Sequence, residues 1–259
     1  MPFADTKDLR IHYRFDGPQD APVIVLSNSL GADVSAWEPQ VPELARRFRV
    51  LRYDSRGHGL TQVTPGPYAI AQLAGDVVGL LDALQVGRAQ FCGLSIGGQV
   101  GAWLGAHEGT RFERLALCNT GARIGTLETW NARIETVRTE GVRSITGPLM
   151  ERWFSAAFRE RSPQVVARAR AMVEGTSTEG YVACCAAVRD ADLGDDLAAI
   201  RRPTLVIAGR HDPATTPEQG RALAAGIAGA RFVELEAAHL SNVEAAEAFT
   251  AALLGFLAA

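Results

Sequence analysis

Three residues of this chain have the types that nucleophilic catalysis needs: Ser95, Asp212 and His239. Ser95 sits in Gly93-Leu94-Ser95-Ile96-Gly97, between the apolar run Ala89-Gln90-Phe91-Cys92 and a helix-like run from Gly98 to Ala106. A strand that turns sharply into a helix lifts one side chain clear of the backbone, and small flanking residues allow so tight a bend. A serine hydroxyl is a poor nucleophile at neutral pH. It needs a general base within hydrogen-bond reach, and that base needs an orienting carboxylate. Asp212 follows the apolar run Leu205–Ala208, in Gly209-Arg210-His211-Asp212-Pro213, and His239 follows Phe232–Leu235, in Ala237-Ala238-His239. All three therefore fall in loops after strands, on the sheet edge where parallel sheets bind ligands.

The remaining candidates fit this chemistry less well. His12 comes too early in the chain. His107 ends a helix, as a C-terminal cap does. His58, in Asp54-Ser55-Arg56-Gly57-His58-Gly59, reads as shaping the pocket floor. His211 adjoins Asp212, but loop neighbours seldom face each other. Asp54 is a rival acid, and its Arg56-Gly57 context reads as a salt-bridged turn. After Cys118, where another acid could sit, the chain has Asn119 and Thr120. An acyl-transfer intermediate also needs backbone donors for its oxyanion. Ile96, next to the nucleophile, and Leu30, in the Asn28-Ser29-Leu30-Gly31 loop, are placed to supply them.

The elements that must hold these residues alternate in type. Val23–Leu26 is a continuous apolar run, as in a strand buried on both faces. Arg49–Tyr53, Ala89–Cys92, Leu115–Cys118, Thr204–Ala208 and Arg231–Leu235 read as further strands, and Leu9–Phe15 as an alternating edge strand. Between them, Val41–Arg47, residues 70–84 with apolar residues at helical spacing, and 97–107 read as helices. Thr216-Pro217-Glu218-Gln219 reads as a capping box, and Ser241 with Glu244 as another that opens the C-terminal helix. Strands alternating with helices imply an α/β fold, a mostly parallel central sheet flanked by helices. The rhythm breaks after Thr120. Residues 121–195 carry helix-like stretches and no clear strand, as in a helical lid inserted into a core of residues 1–120 and 196–259.

Composition narrows the function classes. A formal net charge of −3 gives no basic surface for nucleic acid. No apolar run approaches the roughly 20 residues of a membrane span, and the N-terminal residues lack a signal-peptide pattern. Cys92, Cys118, Cys184 and Cys185 have no metal-binding spacing and read as buried free thiols, which fit a reducing cytoplasm. No metal or cofactor is expected. The sequence leaves the oligomeric state open.

The Asn28–Gly31 loop, Asp54–Gly59, Gly93–Gly97, Gly209–Pro213 and His239 together resemble the α/β-hydrolase superfamily across essentially the whole chain. Many relatives carry His-Gly where this chain has Asn28-Ser29, a departure that still leaves the backbone donors in place. Ser27–Asp33, Trp37 and Gly209–Pro217 look like the 3-oxoadipate enol-lactonases of the β-ketoadipate pathway. The resemblance implies hydrolysis of 3-oxoadipate enol-lactone to 3-oxoadipate in aromatic catabolism, through an acyl-enzyme on Ser95. Such a lactone carries a carboxylate. In the lid, where acidic residues balance the arginines, anion recognition would be local: Arg133, beside Trp130, is a candidate partner, and Trp130 and Trp153 are candidate pocket walls. The alternatives are another serine hydrolase, either a carboxylesterase or a cofactor-free perhydrolase of the haloperoxidase type, and a non-catalytic binding protein on the same fold.

Overall fold

A computed structural model describes residues 2–258. Eight strands form one sheet: β1 (Phe3–Asp5), β2 (Arg10–Asp16), β3 (Val23–Ser27), β4 (Arg49–Tyr53), β5 (Ala89–Leu94), β6 (Phe112–Cys118), β7 (Thr204–Gly209) and β8 (Arg231–Leu235). Their order is β1-β2-β4-β3-β5-β6-β7-β8. The β1–β2 and β2–β4 pairs are antiparallel, and every other pair is parallel. The central strands β5 and β7 are buried at every position. The apolar run of β7 and that of β5, broken only by the buried Gln90, reflect helices packed on both faces. β1 has no sequence signature, because three residues are too few to show alternation.

The helices are α1 (Val41–Leu44), α2 (Ile70–Ala83), α3 (Ile96–His107), α4 (Leu127–Glu140), α5 (Thr146–Trp153), α6 (Ala156–Arg161), α7 (Pro163–Glu174), α8 (Thr178–Asp190), α9 (Pro217–Gly226), α10 (Ser241–Glu244) and α11 (Ala246–Leu257). α2 buries Leu73, Val77, Leu80 and Leu81 on one face, as their spacing predicts. The helices α4–α8 all lie between β6 and β7, with α4 packed on α8 and α5 on α7. The Thr216–Gln219 capping box forms at the start of α9.

Two local pairings that the sequence suggests do not form. Ser241 and Glu244 make no capping box: Ser241 Oγ donates to Asn119 Oδ1, and Glu244 accepts from the Ala238 N–H and from Ser155. Arg56 pairs with Asp76 rather than Asp54, while Asp54 holds His12 Nδ1 at 2.6 Å. In both cases a partner distant in the chain outcompetes the local one, because both groups are buried and find better-oriented partners across the fold.

No helix among the described residues is long and apolar enough to cross a membrane.

Candidate active site

The elbow around Ser95 is built by close backbone approach. Ser95 has φ 60° and ψ −117°, a strained conformation for a residue with a side chain. Its N–H donates to Cys118 O at 2.9 Å, and its carbonyl accepts from Thr120 Oγ1 at 2.8 Å, so β6 clamps the turn from the side. A Cβ at Gly97 would stand 2.4 Å from Ser27 O, and one at Gly93 would stand 2.1 Å from Gly97 O. Both positions therefore require glycine.

Asp212 lies in the loop after β7 and is almost wholly buried. Its Oδ1 accepts from the backbone N–H groups of Ala214 (2.8 Å) and Thr215 (3.0 Å). Its Oδ2 accepts from Thr215 Oγ1 (2.7 Å), Asn119 Nδ2 (3.0 Å) and His239 Nδ1 (2.8 Å). Burial pushes this carboxyl upward, but His239, Thr215 and Asn119 outweigh it and hold Asp212 below the usual carboxylate range. An ionised carboxylate only accepts, so His239 Nδ1 carries the proton and Nε2 keeps a free lone pair. An imidazole held in this way can take a proton from a hydroxyl.

Ser95 and His239 line one cavity of about 350 Å³, within the ~300–1,000 Å³ range of small-molecule sites. No hydrogen bond joins their side chains among the described residues; such bonds are often long in a ligand-free site and tighten on binding. Leu30 lines the same cavity, and its N–H donates to no protein group among the described residues. Ile96 is not part of the lining. It is the first residue of α3, where an N–H has no acceptor within the helix.

The opposite wall comes from the helices between β6 and β7. Trp130 and Trp153, both buried, line it together with Leu149. The Trp130 indole N–H donates to Ile124 O, which fixes the ring. The Arg133 guanidinium lies 4.7 Å from the Trp130 ring centroid. Two further residues stand here that no sequence pattern marks. Arg152 also lines the cavity, and burial and then the neighbouring Arg133 charge push its guanidinium pKa down. Tyr181 lines it too; its buried hydroxyl makes no hydrogen bond of normal geometry, and burial pushes its pKa up, partly offset by the Arg133 guanidinium close by. Neither Arg133 nor Arg152 forms a salt bridge among the described residues. Two cations beside a hydroxyl, with no carboxylate in the lining, make this wall complementary to an anion. Nothing in the sequence singles out Tyr181 or Arg152; only packing distinguishes them.

The weaker candidates lie elsewhere. His211 Nε2 is 3.1 Å from Glu236, on the surface. His107 stacks on Trp103. Asp54 accepts from the Val34 and Leu60 N–H groups as well as His12, which anchors two loops. No group of three or more His, Cys, Asp or Glu among the described residues is arranged to hold a metal ion.

Comparison with known proteins identifies the family of this fold. Residues 22–246 match the model of the alpha/beta hydrolase fold family. The chain is 41% identical to 3-oxoadipate enol-lactonase 2 of Acinetobacter baylyi, over 97% of this chain and 95% of that one. It is 31% identical to a putative carbamate hydrolase, RutD, of Variovorax paradoxus, over 96% of each. Among solved structures, the enol-lactonase from Burkholderia xenovorans superposes with a TM-score of 0.99 at 51% identity, covering all of both chains. The chain belongs to the α/β-hydrolase family, alongside the 3-oxoadipate enol-lactonases that it resembles over nearly its whole length.

Proposed function

We propose that this protein hydrolyses 3-oxoadipate enol-lactone to 3-oxoadipate, a step of the β-ketoadipate pathway, with Ser95, His239 and Asp212 as catalytic triad. The observation that carries the proposal is a single cavity with Ser95 and the Asp212-held His239 on one wall and unpaired Arg133 and Arg152 on the other. The names of the enol-lactonase relatives support the same substrate.

His239 Nε2 takes the Ser95 proton as Oγ attacks the lactone carbonyl. The Leu30 and Ile96 N–H groups receive the oxyanion, the interaction that usually contributes most to such catalysis. The ring C–O bond then breaks. The leaving group is an enolate, which departs more readily than an alkoxide; it takes the proton from His239 and relaxes to the ketone. Water, deprotonated by His239, attacks the acyl-enzyme and releases Ser95. Asp212 holds the imidazole and stabilises its cation. Arg133 and Arg152 bind the carboxylate that the substrate carries, and Trp130 and Trp153 wall its ring. Residues 121–195 act as the lid over this site. The reaction consumes only lactone and water, so no cofactor is invoked, and four free thiols fit a reducing cytoplasm.

The test is to generate the enol-lactone in situ and follow its ultraviolet absorbance with wild type and Ser95→Ala. Loss with wild type and none with the variant is expected. No loss above background with wild type, together with turnover of neutral p-nitrophenyl esters, would replace the lactone by a general ester substrate. Failure of a fluorophosphonate to label Ser95 would remove the nucleophile.

A further inference from the structure

His58 lies outside the cavity lining, yet it touches the loop that carries Leu30. It is buried, and its Nε2 accepts the Gly31 N–H at 2.9 Å. Its Nδ1 is 3.2 Å from Arg56 O and so donates there. Gly31 has φ +82°, and a Cβ at that position would meet the Tyr181 ring at 3.2 Å. The Leu30–Gly31 peptide is therefore fixed from two sides, by an imidazole lone pair and by a ring of the opposite wall. The Leu30 N–H belongs to the preceding peptide, whose Ser29 carbonyl accepts the Ala32 N–H at 3.0 Å, so anchoring the Gly31 N–H inside this turn restrains the direction in which the Leu30 N–H is presented.

We propose that His58 is a positioning residue for the oxyanion site: its Nε2 lone pair holds the Gly31 N–H and so aims the Leu30 N–H into the cavity. The proposal rests on Leu30 being an oxyanion donor. Only one tautomer serves, with the proton on Nδ1 and none on Nε2. Surroundings enforce it. Burial pushes the His58 pKa down to about 4, against smaller opposing effects of Arg56 O and Asp33, and Cys184 and Tyr181, on the helix packed beside the ring, are buried and neutral.

Two substitutions separate the lone pair from the packing. His58→Gln places an acceptor oxygen near the Nε2 position, while His58→Asn keeps a polar group near Nδ1 and removes the acceptor. Loss of an oxyanion donor outright costs on the order of 100- to 1,000-fold in kcat. Misaiming one predicts a fall of roughly 10- to 100-fold in kcat for His58→Asn, with KM little changed, and partial recovery in His58→Gln. Phenylboronic acid, whose serine adduct is tetrahedral, should bind His58→Asn more weakly in the same proportion. Equal losses in both variants, or a rise in KM with kcat intact, would overturn the proposal.

A measurement on wild type covers the case in which His58→Asn does not fold. In a ¹⁵N-histidine spectrum at pH 7, His58 should show a protonated Nδ1 and a bare Nε2. The reverse tautomer or a cation would overturn the proposal. The spectrum does not depend on the substrate, so failure of the enol-lactone assignment and failure of the His58 role remain distinct.

Discussion

Arg133→Gln separates anion recognition from chemistry. The guanidinium is half-buried, stacks on Trp130 and has no carboxylate partner among the described residues. A hydrogen bond to a charged group contributes about 1.5–3 kcal/mol, and partial exposure places Arg133 mid-range, at about 2 kcal/mol. At 1.36 kcal/mol per decade this predicts a roughly 30-fold loss of kcat/KM on the lactone, carried mainly by KM. Arg152 remains and keeps the loss from being larger. Stability should change little. The cation–π stacking on Trp130 is worth about 0.5–1 kcal/mol, and removing one of two neighbouring like charges offsets part of it. The assay compares the anionic enol-lactone with neutral p-nitrophenyl acetate, alongside thermal melting. The lactone should lose about 30-fold and the acetate less than about twofold, with the melting temperature shifting by no more than about 3 °C. Equal losses on both substrates would refute charge recognition and reduce Arg133 to a packing residue.

Asp212→Asn should lower kcat by about 10⁴-fold, because an amide can no longer hold His239 in the useful tautomer; steady-state rates measured against a Ser95→Ala background check this. In either amide orientation, an NH₂ faces donors that now bond to Oδ1 or Oδ2. Gly97→Ala should fail to fold or melt far below wild type, since its Cβ meets backbone oxygen at 2.4 Å; circular dichroism melts decide. His58 makes stability pH-dependent. Its folded pKa of about 4 lies below the ordinary value of 6.5, so as pH falls from about 6.5 to 4 the unfolded chain gains a proton that the folded one refuses. Stability is full above this window and falls through it, by up to roughly 3 kcal/mol at 1.36 kcal/mol per pH unit. Urea melts at pH 7 and pH 5 should show a loss that His58→Gln lacks; identical losses in both proteins would refute it.

The sheet was legible because strands buried on both faces leave unbroken apolar runs such as Val23–Leu26 and Leu205–Ala208. Ser95, Asp212 and His239 stood out as candidates because each follows a strand-like run, though Gln90 interrupts the first and Glu234 the last, and chain order stands in for spatial order on a parallel sheet. The interactions that tune the site were not legible. Asn119 reaches Asp212 only because β6 and β7 are neighbours. His58 reaches Gly31 across the gap between two loops. Arg152 and Tyr181 sit on separate helices, α5 and α8, whose register no local pattern encodes. Ser241 illustrates the reverse case: its capping-box spacing with Glu244 is plain in sequence, and the fold uses its hydroxyl for Asn119 instead.

The two walls of the cavity have different origins along the chain. Ser95, His239 and Leu30 are carried by sheet-edge loops, whereas Trp130, Arg133, Arg152, Trp153 and Tyr181 all fall within one uninterrupted stretch between β6 and β7. Under the proposed function, bond-making and choice of ligand are thus encoded in separate parts of the chain. A graft of that stretch from a relative with a different preference should change the selectivity provided it keeps a ring at Tyr181 against Gly31 and the Trp153 carbonyl that accepts the Leu240 N–H, two points where it meets the loops of the reactive serine and histidine.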